Sequence, residues 1–198
     1  LRFFQSTPIR KNMLHHYQKT TSPIIFLFAI IIALTSIACK KQNTINETIH
    51  RMIDSQIKNV DSLSIYYPKH YVYKPLDFDV KIYSIINGAC NDCIMEFDEW
   101  SKFISQNEFS DEVNYYFHIH AAEYKELENL FDTKGYTFFF VKDPKMKFIK
   151  INNLPKDKMF HTFLVSDNKI ILVGSPLKNG PIKDLYIKTI NRILNASM

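Results

Sequence analysis

Glycine is scarce in this chain, four in 198 residues, and none of the four builds a Gly-rich phosphate loop or a G-x-S-x-G elbow. No paired-carboxylate arrangement stands out, and no internal repeat or low-complexity segment interrupts the sequence. A nucleic-acid footprint is missing too, although the formal net charge is +5. Four basic residues (Arg2, Arg10, Lys11 and Lys19) lie within residues 1–38, which hold no acid, and from Cys39 onward 21 basic residues face 20 acidic ones. That part is nearly neutral and carries no basic helix or aromatic-interleaved basic strip, so nucleic acid is not an expected partner. Cysteine is rare as well, three in all, and each of the three is placed informatively.

The first, Cys39, closes an apolar run. No residue from Pro23 to Ala38 is charged, Ile24 to Leu34 is wholly apolar, Lys19 precedes the run and Lys40-Lys41 follow it. A basic flank, a short apolar core and a small residue at the cut describe a secretory leader. With Ala38 directly before Cys39, the segment resembles the lipobox of bacterial lipoproteins, with Ser36 and Ile37 where that family favours Leu and a small residue. The resemblance implies cleavage before Cys39 and lipidation of its sulfur. An uncleaved signal anchor is the alternative, but the run falls short of the ~20 residues a spanning helix needs. Residues 1–38 are thus read as leader, with 1–12 an extension upstream of a start at Met13. Residues 39–78 are read as lipidated cysteine, tether and N-terminal helix, and 79–198 as the main domain.

The other two cysteines form the run Gly88-Ala89-Cys90-Asn91-Asp92-Cys93. A Val/Ile/Tyr-rich strand pattern meets Cys-x-x-Cys and passes straight into an amphipathic helical pattern. A cysteine in the first helical turn faces unpaired backbone N–H groups and the positive end of the helix dipole, and both favour thiolate. Three residues on, the second sulfur lies on the same face, within reach of a disulfide. As a staple the pair is weak, since so short a loop stabilises by only about 2 kcal/mol against about 3 to 5 for longer ones. Chemistry is the better reason for it. Asp92 sets a carboxylate beside both sulfurs and no cation accompanies it, which opposes the dipole. A reductant or weak exchanger is expected rather than a strong oxidant.

Thr44-Ile45-Asn46-Glu47 fits a capping box ahead of a helix over 45–58. Residues 62–79 are Tyr-rich, broken by Pro68 and Pro75, and read as an extended lead-in. Strands follow at 80–86, 113–119 and 137–141, with helices at 91–105 and 121–131. An irregular stretch runs through Pro144 and Pro155. Strands 160–165 and 169–173 flank the turn Ser166-Asp167-Asn168 as a hairpin. Asn179-Gly180-Pro181 opens a last helix with Ile182, Leu185, Tyr186, Ile190 and Ile193 inward.

A strand leading into Cys-x-x-Cys on a helix, closed by a hairpin and a helix, resembles the thioredoxin fold, most closely the envelope-anchored proteins of the TlpA/redoxin kind. The resemblance spans residues 78–196. It implies a thioredoxin-like three-layer α/β/α sandwich with a central mixed β-sheet, carrying here an N-terminal helical extension. It implies thiol–disulfide exchange with Cys90 attacking and Cys93 resolving, and a redox-active disulfide without any organic cofactor. The partners it implies are envelope protein thiols and disulfides, met by a lipid-anchored domain facing the periplasm. Three positions depart from the pattern. Ala89 replaces the aromatic before the first cysteine, and Ser84 stands where many members bury an acid. His161 occupies the cis-proline position before Thr162, so the substrate-docking pair is His161 and Thr162. Two other readings stay open: a non-catalytic binding or scaffold lipoprotein with a structural disulfide, and a metallochaperone using Cys90, Cys93 and His161. His118 and His120 share a strand face and are expected to be exposed or hydrogen-bonded.

Overall fold

The computed structural model describes residues 42–76, 78–178 and 180–197. The leader, Cys39 and the apolar run lie outside them. Contacts divide the chain at Ile45/Asn46, and the fold below is that of the second unit. Among the described residues no helix is long and apolar enough to cross a membrane.

A six-stranded mixed sheet forms the centre. Its strands are β1 (Ser64–Tyr66), β2 (Lys81–Asn87), β3 (Asn114–His120), β4 (Phe140–Lys142), β5 (Thr162–Ser166) and β6 (Lys169–Val173), in the order β1-β4-β3-β2-β5-β6. β2, β3 and β4 run parallel, while β1, β5 and β6 pair antiparallel with their neighbours. Alternation along β2 and β3 sorts side chains to two faces. Ile82 and Ile86, with Tyr115, Phe117 and Ile119, join Phe97 and Trp100 of α2 (Asn91–Ser105), Leu127 and Phe131 of α3 (Lys125–Lys134), and Tyr186 and Ile190 of α5 (Gly180–Ser197) in one core. On the opposite face Tyr83 stacks with Tyr116, Phe163 and Phe148, the last from the short α4 (Lys147–Ile151). Helices therefore cover both faces of a mixed sheet, as the β-α-β-α-β, hairpin and helix order predicts.

The hairpin follows its turn chemistry. Asp167 (φ 51°) and Asn168 (φ 60°) both adopt the left-handed region between Ser166 and Lys169, where short polar side chains are tolerated and the twist matches the strands. α3 starts later than expected, because the Glu123 carboxylate accepts from the N–H groups of Tyr124 and Lys125 and caps it there. It ends at Gly135, whose φ of 69° suits glycine.

Several expectations need correction. Residues 42–44 are already helical, so Thr44 is not an N-cap, and the first helix (α1, 42–52) stops short of 58. The chain turns at Asp54, φ 63°, and then runs along the sheet edge. There Asp54 N–H donates to Ile170 C=O, Ile170 N–H to Ser55 C=O, and Ile57 N–H to Asn168 C=O. The Tyr-rich lead-in contributes β1, and the irregular stretch after Pro144 contains α4. β4 is confined to Phe140–Lys142, where both β1 and β3 meet it. Leu185 is 48 % exposed, because it sits at the margin of the stripe formed by Ile182, Tyr186 and Ile190.

Candidate functional site

β2 lies at the centre of the sheet and delivers the chain to the cysteine pair. Beyond Asn87 the backbone passes very close to β3, with Gly88 N–H donating to His120 C=O at 2.8 Å. A Cβ at Gly88 would lie 2.9 Å from Ile119 Cγ2 and from Leu127 Cδ1, and 3.0 Å from Ala121 Cβ. Glycine is required by close approach here, and it sets where α2 begins. Asn87 Oδ1 then accepts from Ala89 N–H, and Asn87 C=O from Cys90 N–H.

Cys90 is the N-cap of α2, extended at φ −109° and ψ 113°, and its sulfur accepts from Cys93 N–H at 3.3 Å. Cys90 C=O accepts from both Cys93 and Ile94 N–H groups at 3.0 Å. A sulfur in this position receives the orphan N–H groups of the first turn, which stabilise negative charge on it. Cys90 and Cys93 are paired as a disulfide, Cα–Cα 5.2 Å, and both are half-buried. Nearby side chains supply little further charge. Asp92 is exposed in the first turn, and Glu96 is ion-paired with Lys178. Met95 projects into solvent, 67 % exposed.

The strand behind the pair holds no acid, and its one charged residue, Lys81, stands at the end away from the cysteines. Ser84 and Thr162 are both buried and share a hydroxyl–hydroxyl hydrogen bond of 3.1 Å across β2 and β5. His161 precedes β5 at φ −86° and ψ 0°, and among the described residues there is no cis peptide bond. Its C=O accepts from Ile85 N–H at 2.9 Å, so it sits beside β2 at the end from which Cys90 emerges. The ring Nε2 lies 2.9 Å from the Pro155 carbonyl. Burial holds the ring below the usual histidine range, with Pro155 and Asp157 opposing.

The Cys-x-x-Cys pair thus heads a helix directly after the central strand, flanked by a parallel neighbour on one side and by the antiparallel hairpin on the other. That arrangement decides the fold. The fold is thioredoxin-like. No family model and no curated protein matches the sequence. Solved structures of similar shape include an uncharacterized thioredoxin-like protein from Porphyromonas gingivalis, at 16 % identity and TM-score 0.46, covering 62 % of this chain and 80 % of that one. A thiol:disulfide interchange protein DsbE assigned in Chlorobium tepidum matches at 16 % identity and TM-score 0.47, covering 73 % and 98 %. StoA from Bacillus subtilis matches at 16 % and 0.40, covering 57 % and 90 %.

Among the described residues no group of three or more His, Cys, Asp or Glu side chains is placed to hold a metal, and the set Cys90, Cys93 and His161 is not assembled as one. His118 departs from expectation. It is buried, 5 % exposed, and stacked on Phe148 with ring centroids 3.8 Å apart, and its Nδ1 has no partner. Desolvation pushes it down to about 4, against a smaller opposing pull from Asp143. His120 Nδ1 is likewise buried without a partner. The sequence signal missed here was Phe148, which lies in a stretch that reads as irregular.

Proposed function

We propose that this chain is an envelope-tethered thiol–disulfide exchange protein acting on protein disulfides through Cys90 and Cys93. The observation that carries the reading is Cys90 at the N-cap of α2, its sulfur receiving the Cys93 N–H and paired with the Cys93 sulfur. In the reducing direction the Cys90 thiolate attacks one sulfur of a substrate disulfide. A mixed disulfide forms and one substrate thiolate leaves. The Cys93 thiolate then attacks Cys90 sulfur, releasing the second substrate thiolate. Substrate gains two electrons, the pair is oxidised, and the reverse sequence oxidises a substrate dithiol. The pair is the sole redox group the reaction needs.

Cys93→Ser should trap substrates as mixed disulfides on Cys90 that dissolve under reductant, and Cys90→Ser should trap none. Equal trapping by both variants, or by neither, contradicts the assignment. One observation favours the inert-disulfide scaffold instead: the backbone groups at His161 are used inside the fold. The same trapping experiment separates the two readings.

The tether is proposed from residues outside the described part. Lipidation at Cys39 would hold the domain on the membrane facing the periplasm. Cys39→Ser should then move the protein to the soluble fraction and remove the lipid mass. Retention in the membrane would point to the uncleaved anchor.

A further inference from the structure

Basic and acidic residues nearly balance from Cys39 onward, yet residues 142–158 hold six lysines against two aspartates. This segment folds over the sheet face that carries Tyr83, anchored there by Phe148 of α4. Both aspartates are engaged with backbone. The buried Asp143 accepts from the Lys147 and Phe148 N–H groups, and Asp157 accepts from Met159 N–H. Lys142 is paired with Glu128. Among the described residues, Lys145, Lys147, Lys150, Lys156 and Lys158 enter no ion pair.

Apolar side chains stand between these lysines. Met146, Ile151 and Met159 are 38 %, 45 % and 44 % exposed. Two recesses flank α4: one of about 270 Å³, lined in part by Lys142, Lys145 and Lys147, and one of about 550 Å³, lined in part by Arg51, Lys58 and Lys156. Cations interleaved with protruding apolar tips fit a bilayer surface, where ammoniums meet headgroup phosphates and the tips reach the acyl boundary. The course of the chain points the same way. Thr48 of α1 also lines the larger recess, and it follows Cys39 by nine residues. Those residues reach about 30 Å at full extension, so a lipid on Cys39 keeps this face near the membrane.

We propose that the α4 face docks flat on anionic phospholipid, through the five unpaired lysines and the exposed Met146, Ile151 and Met159. This rests on the tether reading and adds an orientation to it. α2, headed by the cysteine pair, packs on the opposite face of the sheet and is left turned toward soluble partners.

The test reconstitutes the full chain into vesicles of phosphatidylcholine, with or without one third phosphatidylglycerol. A membrane-impermeant acetylating reagent then labels lysines, and mass spectrometry reads each site. Lys183 and Lys188 on α5 serve as internal references, so mixed orientation in the vesicles cancels. With phosphatidylglycerol the five α4-face lysines should label several-fold more slowly than the references; without it they should not. Raising salt to about 1 M, where the Debye length falls to about 3 Å, should remove the protection. In the variant combining Lys145→Gln, Lys150→Gln, Lys156→Gln and Lys158→Gln, Lys147 should lose its protection as well. Uniform labelling on both vesicles, protection indifferent to lipid charge, or protection of Lys147 that survives in the variant overturns the docking face. Protection seen only on native membranes that retain their proteins assigns the face to an acidic protein and overturns it too. Those results leave the tether standing, whereas a chain that co-floats with neither vesicle overturns the tether and the docking face together.

Discussion

At the scale of single residues, Gly88 governs whether the cysteine pair is presented at all. Ile119 and Leu127, the side chains its Cβ would strike, are 0 % and 4 % exposed and have nowhere to move. Gly88→Ala should therefore cost about 1–3 kcal/mol by overpacking, read as a lower urea midpoint in Trp100 fluorescence. An unchanged midpoint would show that the strand exit is looser than described. Ser84 and Thr162 make a second case. Removing one hydroxyl leaves the other buried and unpartnered at about 1–3 kcal/mol, whereas Ser84→Ala with Thr162→Val should cost clearly less than the two singles combined. Strict additivity in that cycle would deny the bond. Asp92 acts on charge alone. Asp92→Lys should raise the alkylation rate of reduced Cys90 at pH 7 by a few-fold, since the cation favours thiolate, and an unchanged rate would contradict its influence. The cysteine pair was legible in sequence because its chemistry is local: strand, Gly, Cys-x-x-Cys, helix. The Ser84–Thr162 bond was not, because its partners stand 78 residues apart and only the sheet register joins them.

Among the elements, α4 was the least legible in sequence. Five residues are too few to show a helical period, and the segment lies between prolines, so its sequence reads as irregular. What holds it is tertiary. The Asp143 carboxylate accepts from Lys147 and Phe148 N–H groups, and Phe148 packs on both Tyr83 and His118. By contrast α2 was legible residue for residue, and the hairpin turn was legible because Asp167-Asn168 suits left-handed backbone. The α4 contact has a pH consequence. His118 is lowered to about 4 in the fold, against ~6.5 unfolded. The native state disfavours its proton, so this stability is complete above pH ~6.5 and is lost as pH falls toward ~4, about 3 kcal/mol in all. Urea stability measured across that window should fall more steeply for wild type than for His118→Leu, whatever the variant's absolute stability. Parallel pH profiles would show that His118 titrates normally in the fold.

For the molecule as a whole, the sheet's two edges are treated differently. β1 is only three residues long, which limits edge pairing. β6 is instead covered by the chain after α1, through the bonds of Asp54, Ser55 and Ile57 to Ile170 and Asn168. That cover explains why an N-terminal extension accompanies the domain. It was half legible: the helix was expected, but the edge contact needs the fold. On the proposed reading a thioredoxin-like frame here carries a working dithiol rather than a staple, with Ser84 and His161 where the resemblance implies an acid and a proline. The most direct test is the reduction potential of Cys90–Cys93, from equilibration in glutathione buffers and mass shift after alkylation. A working dithiol should give a value between about −120 and −270 mV, the range of exchange proteins. A value below about −300 mV, or a pair that never equilibrates with glutathione, would mark a structural disulfide and contradict it.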